Sequence, residues 1–345
     1  MDKIYINSIL YKKNKNIALT GIYVIFFYIF CFFSILASPI LASMNNLNLL
    51  SSVRSHEYSQ WFTGPILTPT PITMPVGHPG LEVAWLIGES YGYYNSHWNV
   101  KHLPKMWSTG PYVDFQIGFN KFLGAEYIGA LLTNFSQGAH YTHLIDSIFR
   151  FGFQISNDQK DSWVPDFRIL FQETVPTGKY QRLSLSKHGT DISGEGSFQT
   201  GVHFAFQKLF HSKKEHDFRL RWTFGYFIPA SVKISGLNYL GGCSETKGTI
   251  RKGQFFTGYI CGEYALSRRW AICVESNYQF GARGRFSKKR GGEIYLPAFS
   301  HFSVAPELQH TFSPNLGVLM GTWFSVAGKN SSAFVKYFVS VLYSF

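Results

Sequence analysis

Apolar and polar residues alternate through most of the chain after residue 80, and the alternation is strictest at the C-terminal end. Counting back by twos from the last residue gives only large aliphatic or aromatic side chains: Phe345, Tyr343, Val341, Val339 and Tyr337. This pattern predicts a β-strand with one apolar face. The stretch alone fits a half-buried edge strand of a soluble sheet equally well, so the choice depends on the rest of the chain.

The alternation recurs often enough to predict a complete barrel. The predicted strands span residues 80–93, 109–120, 122–134, 143–155, 165–175, 197–209, 216–229, 254–266, 269–281, 297–312, 315–327 and 333–345. Short turns alternate with longer loops, and four of the loops are long: 95–108, 176–196, 231–253 and 282–296. An even strand count with short turns on one side is typical of outer-membrane proteins. The predicted fold is all-β, a transmembrane antiparallel up-and-down β-barrel of about 12 strands over residues 80–345.

The size of the apolar side chains favours lipid over a packed core as their environment. In the seventh predicted strand the apolar face consists of Phe218, Leu220, Trp222, Phe224, Tyr226 and Ile228. A β-sandwich must fit such faces into a core about 10 Å thick. Aromatic residues make up 18% of the chain, yet its mean hydropathy is only −0.04. Strands with one lipid face and one polar face produce this combination.

The first 79 residues differ from the rest and are expected to form two segments. Three lysines, Lys12, Lys13 and Lys15, precede an uncharged apolar stretch that ends in small residues at Ala42 and Ser43. This order predicts a signal peptide over residues 1–42, with an uncleaved membrane anchor as the alternative. The second segment, 43–79, is rich in proline, which excludes a helix and disfavours a central strand. It is either an extended periplasmic tail or a plug that brings Trp61, Phe62 and His78 into the periplasmic mouth.

Residues opposite the apolar faces are expected to line the lumen, and many of them are charged. The predicted lining residues are Arg150, Arg168, Arg219, Arg221, Asp114, Glu126, Glu263, Glu275, Glu307 and Lys336, accompanied by Glu82 and Asp146. In one interpretation these charges pair with one another and act as a scaffold. In the other, the four arginines form a ladder that faces acids across the pore and selects solutes. The two interpretations are compatible.

Cysteine and histidine positions indicate neither a disulfide framework nor a metal site. Cys261 and Cys273 are equidistant from Ser267 and are expected to face each other in the lumen, either as a disulfide or as thiols. Cys243 lies in a loop without a partner. No spacing of cysteine and histidine matches a metal site, so we expect no metal and no cofactor.

A basic loop and the formal net charge of +12 suggest an anionic partner. The loop from Gly281 to Gly292 carries five basic residues: Arg283, Arg285, Lys288, Lys289 and Arg290. It is either a solvated loop or a contact surface for lipopolysaccharide phosphates, which arginine binds by charge-assisted hydrogen bonds. No nucleic-acid-binding motif is present, so nucleic acid is not an expected partner.

Two resemblances to known proteins support these predictions. The terminal Phe345, with Tyr343, Val341, Val339 and Tyr337 before it, resembles the C-terminal signal that the barrel assembly machinery reads in bacterial outer-membrane proteins. Three stretches, SQWFTGPILTPTPITMPVGHPGLEV, FQETVPTGKYQRL and DISGEGS, resemble the outer-membrane family named after the meta-pathway of phenol degradation. The second resemblance extends over most of residues 59–345 and implies a transporter-like barrel. The family is named after a pathway neighbourhood, so its name does not make phenol the substrate.

The predicted function is an outer-membrane channel or transporter for small solutes, with hydrophobic or aromatic solutes as candidates. The expected partners are outer-membrane lipid and lipopolysaccharide, the assembly machinery and the solute, and the oligomeric state is left open. A surface adhesin or a structural barrel is the alternative. A lipid hydrolase is a further alternative, but it requires serine and histidine within hydrogen-bond reach on the lipid-facing rim. His301 and Ser303 have inward parity, so the protein is not expected to be an enzyme.

Overall fold

The structure is a computed structural model that describes residues 62–159, 162–212, 216–289 and 291–345. The predicted signal peptide, Trp61 and Arg290 lie outside the described residues. Within these ranges no helix is long and apolar enough to cross a membrane.

Long antiparallel strands account for most of the described residues. The strands of the main sheet are β1 (Gly80–Tyr94), β2 (Val100–Gly118), β3 (Leu123–Ser136), β4 (Ala139–Leu144), β5 (Ser147–Ser156), β6 (Asp166–Val175), β7 (Gln199–Phe210), β8 (Phe218–Pro229), β11 (Phe255–Ala265), β12 (Trp270–Gly281), β15 (Phe299–Ser313), β16 (Leu316–Lys329) and β17 (Ser331–Ser344). Since β4 and β5 pair with successive parts of β3, they share one position in the sheet. The sheet closes because β1 pairs with both β2 and β17. The result is a closed antiparallel barrel with 12 strand positions.

The predicted fold and the orientation of its strands are confirmed. In β8 the residues Phe224 and Ile228 are 45% and 53% exposed, whereas Arg219 and Arg221 between the apolar positions are 8% and 5% exposed. The exposed large apolar side chains recur on other strands, for example Phe151 on β5 and Met320 on β16. The barrel therefore has an apolar outer surface and a polar lumen, which is how a barrel in a lipid bilayer satisfies its backbone and its side chains.

The prediction that residues 231–253 and 282–296 are loops is wrong. These two connections contain four short strands, β9 (Val232–Ser235), β10 (Lys247–Arg251), β13 (Gly284–Lys288) and β14 (Glu293–Leu296), which form a separate sheet in the order β14-β13-β10-β9. We call this the outer sheet. Its small core consists of Val232, Ile234 and Ile250, with Tyr180, Tyr239, Phe286 and Leu296 packed against it. The outer sheet forms because two separate connections supply apolar residues that neither can bury alone.

The connection between β6 and β7 is held together by the two mid-chain motifs quoted above. Ser193 donates its backbone N–H to the Lys179 carbonyl at 2.9 Å, and the Lys179 ammonium lies 2.8 Å from Asp191 Oδ2. Asn134, an inward residue of β3, donates to the Thr190 carbonyl at 3.1 Å. These contacts tie the connection to the inner wall at the end of the barrel opposite Gly80 and Phe345.

Asp146 was predicted to line the lumen, but its side chain holds the connection between β6 and β7 instead. It lies in the break between β4 and β5, and its carboxylate accepts hydrogen bonds from the backbone N–H groups of Gly178 and Glu195 at 2.9 and 2.8 Å. Burial raises the pKa of this carboxyl, and the two backbone donors partly oppose the increase.

Candidate functional site: the charged lumen and the segment inside it

Charged side chains lie inside the barrel at the predicted positions on ten strands. The strongly buried ones are Asp114, Glu126, Arg150, Arg168, Arg219, Arg221, Glu263, Glu275 and Glu307, and Glu82 lies at the limit of this group. Lys336 is half-buried, and its ammonium lies 4.7 Å from the centroid of the Trp323 ring and 5.1 Å from that of Phe334. Each position is fixed by the period of two along a strand, which sends these side chains inward and their neighbours toward lipid.

Glu263 forms ion pairs with two arginines of the neighbouring strand. The pairing of β8 with β11 places Arg219 directly opposite Glu263. Arg219 donates from Nε and Nη2 to the two carboxylate oxygens, each at 2.6 Å, and Arg221 Nε lies 3.3 Å from Oε2. Gln309 donates a further hydrogen bond to Glu263 at 3.0 Å. A fork-to-fork pair of this kind fixes both side chains against the wall.

A second buried pair joins β3 to β5. Arg150 lies opposite Glu126 and donates to it at 2.6 Å, and its Nε donates to Gln172 at 2.8 Å. Both ion pairs therefore connect adjacent strands. The predicted ladder, in which arginines face acids across the pore, is wrong for Arg150 and Arg219. Opposite positions on neighbouring strands are about 5 Å apart, so a long side chain reaches its neighbour before it reaches the far wall.

Most of the segment 62–79 lies inside the barrel, whereas Val76 and Gly77 are exposed, and hydrogen bonds from the wall hold the segment. Glu275 accepts three of them: from the Leu67 N–H at 2.9 Å, from the Thr68 N–H at 2.7 Å and from the Thr68 hydroxyl at 2.6 Å. Glu307 lies nearby and accepts from the Ile66 N–H at 3.4 Å. The two carboxylates thus bind three consecutive backbone N–H groups of the segment.

Further polar side chains hold the segment on either side of this point. Arg168 donates to the Ile72 carbonyl at 3.0 Å, and the side-chain carbonyl of Gln154 accepts from the Thr73 N–H at 2.8 Å. At the other end of the segment, Arg219 lies over the ring of Phe62, 4.4 Å from its centroid. Arg168 and Arg219 therefore contact the segment rather than open space.

The sequence of the segment explains how it fits without forming a strand of the sheet. Its prolines, at 65, 69, 71, 75 and 79, have no N–H, which reduces the number of backbone donors that need a partner inside the barrel. Where the segment touches the wall, the wall has a glycine, which leaves room for the backbone of the segment. A Cβ at Gly118 would lie 1.8 Å from the Met74 carbonyl oxygen, so no side chain fits at that position.

The sequence identifies the charged members of this site but misses its uncharged members. Gln154, Gln172 and Gln309 have the same inward parity as the predicted charges, and all three make hydrogen bonds in the lumen. Their parity was the signal that could have found them. The contacts of Leu67 and Thr68 have no such signal, because they depend on the path of a segment without periodicity.

Cys261 and Cys273 are buried thiols whose sulfur atoms are 3.3 Å apart. The predicted contact between them inside the lumen is present, but they are not directly opposite in the sheet, because Cys261 pairs with Glu275 and Cys273 with Glu263. The pairing of β11 with β12 is centred one residue after the sequence midpoint between the two cysteines. The two cysteines are therefore diagonal rather than direct neighbours in the sheet. Whether they form a disulfide stays a prediction. Within the described residues no group of three or more metal-ligating side chains is arranged to hold an ion.

The outward basic loop is part of β13 and its turn. Arg285 lies on β13 with Nη1 3.8 Å from Glu293, and Arg283, Lys288 and Lys289 are exposed. At the opposite end of the barrel, Phe345 donates its N–H to the Pro79 carbonyl at 2.9 Å. The rings of Phe345 and Tyr343 are 4.8 Å apart and perpendicular.

A closed barrel with an apolar outer belt and a charged lumen defines the class: the protein is a β-barrel of the bacterial outer membrane. No family model and no curated protein matches the chain. Among solved structures, it is similar to an outer-membrane channel from Pseudomonas putida F1, with a TM-score of 0.63 and 12% identity over 81% of this chain and 100% of that chain. At this identity the likeness shows the shared fold.

Two other solved structures are similar to a lesser degree. One is a mutant of the TodX monoaromatic hydrocarbon channel, with a TM-score of 0.41 and 11% identity over 83% of this chain and 95% of that chain. The other is the NanC porin, with a TM-score of 0.36 and 11% identity over 76% of this chain and 100% of that chain. Their TM-scores are too low for either to support a further argument.

Proposed function

We propose that the protein is a channel for small solutes through the outer membrane, hydrophobic or aromatic solutes among them, and that residues 62–79 form its plug. The observation that carries this proposal is the attachment of the plug by hydrogen bonds between its backbone and wall carboxylates. A plug held by polar contacts can move without exposing a packed apolar core. The wall groups that it leaves behind are charged and readily hydrated, so displacement opens an aqueous path.

Two resemblances support the proposed channel. The chain resembles the phenol meta-degradation family in the stretches whose mid-chain members contact each other at Lys179 and Ser193. The fold is shared with an outer-membrane channel. The alternatives have less support. His301 and Ser303 are both buried in the lumen, and their inward position disfavours a hydrolase site on the lipid-facing rim.

Two partners are proposed on sequence grounds. The C-terminal residues Tyr337, Val339, Val341, Tyr343 and Phe345 form the signal for the assembly machinery. The five basic residues Arg283, Arg285, Lys288, Lys289 and Arg290 contact lipopolysaccharide phosphates. That the protein is not an enzyme stays a prediction.

Replacing the carboxylate that holds the plug tests the proposal. Glu275→Gln removes the charge and one acceptor oxygen, and it points amide donors at the donors of either Leu67 or Thr68. Each hydrogen bond to a charged group contributes about 1.5–3 kcal/mol, so losing one shifts the equilibrium between plugged and open states by at least about tenfold. We expect the refolded variant to open more often than wild type in planar bilayers.

The matched control is Glu173→Gln, which changes an outward carboxylate on β6 that accepts from Thr200 at 2.7 Å and does not contact the plug. The control should conduct like wild type. Wild-type conductance in the Glu275→Gln variant, with normal heat-modifiable gel mobility, would show that this carboxylate does not control the pore.

A further inference from the structure

The outer sheet contains a cavity that is separate from the barrel lumen. It lies between the turn that follows β9 and the β13–β14 hairpin, and its volume is about 710 Å³. Small-molecule sites typically have volumes of about 300–1,000 Å³. The cavity is therefore large enough for one small organic molecule.

One wall of the cavity is apolar and belongs to the core of the outer sheet. Ile234, Phe286 and Leu296 line it and also pack in the cluster around Ile250. Because neighbouring side chains fix these residues from behind, the wall is formed before any ligand arrives. Ile294, which is 46% exposed, extends the apolar wall toward solvent.

The rim of the cavity is basic. Lys247, Lys288 and Lys289 line it and are exposed, whereas Glu245 is the one acid among its lining residues. Within the described part of the chain, none of the three ammonium groups belongs to an ion pair, although other lysines of the protein do. A preformed apolar wall beside unpaired cations complements a ligand with an apolar body and an anionic end.

We infer that this cavity is a binding site for a small apolar anion, such as an aromatic carboxylate. The apolar body lies on Phe286 and Leu296, and the carboxylate lies among the three lysines. A free solute fits better than a membrane lipid, because the cavity belongs to a sheet built from the connections beyond the barrel strands, whereas lipid tails lie against the barrel belt. The inference concerns binding alone and does not depend on conduction through the lumen.

Calorimetric titration of the full chain in detergent tests the site with two probes of equal ring structure, 1-naphthoate and the neutral 1-naphthalenemethanol. We expect saturable binding of naphthoate at least about tenfold tighter than that of the alcohol. The variant Lys247→Gln with Lys288→Gln and Lys289→Gln should lose this preference. A control variant, Lys233→Gln with Arg251→Gln and Arg283→Gln, removes the same charge from positions that do not line the cavity and should keep it.

A second variant tests the contribution of the apolar wall to binding independently of the charges. Ile294→Ser should weaken both probes by a similar factor and leave their ratio unchanged, and its partly exposed position makes it compatible with folding. The inference is overturned if wild type does not bind naphthoate, if the control variant loses the preference equally, or if the variant without the three lysines keeps the preference. Normal conductance together with absent naphthoate binding would reject this site and leave the proposed channel intact.

Discussion

Replacing Arg219 by methionine is expected to destabilise the barrel, because it deprives a buried carboxylate of its main partner. Glu263 has no exposed surface and accepts two hydrogen bonds of 2.6 Å from Arg219. Removing one partner of a buried ion pair costs about 3–5 kcal/mol. Since Arg221 and Gln309 still lie 3.3 and 3.0 Å from Glu263, we expect the lower end, about 3 kcal/mol.

A double-mutant cycle isolates this interaction. Glu263→Gln alone should also destabilise the barrel, because it leaves two buried arginines with a neutral acceptor. Arg219→Met combined with Glu263→Gln should cost less than the sum of the single changes, with a coupling energy of about 1–3 kcal/mol. The free energy of unfolding in urea, measured on protein refolded into lipid vesicles, gives all four values.

A surface ion pair is the control for this cycle. Arg285 and Glu293 are 3.8 Å apart and each has a side chain that is 43% exposed, so Arg285→Met should cost less than about 1 kcal/mol. The reasoning is refuted if Arg219→Met costs no more than Arg285→Met, or if the two lumen substitutions are additive within about 0.5 kcal/mol.

Two other substitutions test the position of the plug and the role of the C-terminal aromatic residue. Gly118→Val should displace residues 62–79, because the Cβ of the valine would lie 1.8 Å from a carbonyl oxygen of the plug. A displaced plug should be cleaved faster by a protease, and an unchanged cleavage rate would contradict this contact. Phe345→Ala should lower the outer-membrane yield in cells but leave the stability of refolded protein unchanged, because the Phe345 side chain is 52% exposed and its N–H bond to Pro79 is retained. Equal outer-membrane yields of Phe345→Ala and wild type would contradict the prediction that Phe345 belongs to an assembly signal.

The barrel itself was predictable because its signal is local and repeated. In β8, six large apolar residues alternate with inward residues that are small or charged except for Phe227, and the predicted strand 216–229 differs from the observed Phe218–Pro229 by two residues at one end. Lipid on one side and a polar lumen on the other enforce this alternation at every strand. The inward position of Arg219, Glu263 and Glu275 follows from the same parity.

The features that could not be predicted depend on contacts between distant parts of the chain. Ile250 pairs with Phe286 in the outer sheet, and each strand there has only four or five residues, too few for a periodic signal. The partner of Arg219 depends on the register between β8 and β11. The path of the plug depends on contacts such as that between Thr68 and Glu275, which are 207 residues apart.

Locking the plug to the wall tests the central claim most directly. A Cβ at Gly317 would lie 3.3 Å from the Cβ of Thr63, close to the range of about 3.5–4.5 Å that a disulfide spans. The test protein carries Thr63→Cys and Gly317→Cys in a Glu275→Gln background in which Cys243, Cys261 and Cys273 are replaced by serine. Its pore should close when the new disulfide forms and open again when the disulfide is reduced. We predict that oxidation abolishes openings in planar bilayers and that reduction restores them. Equal conductance in the oxidised and reduced states, with the disulfide verified by gel mobility, would contradict the claim that residues 62–79 plug the pore.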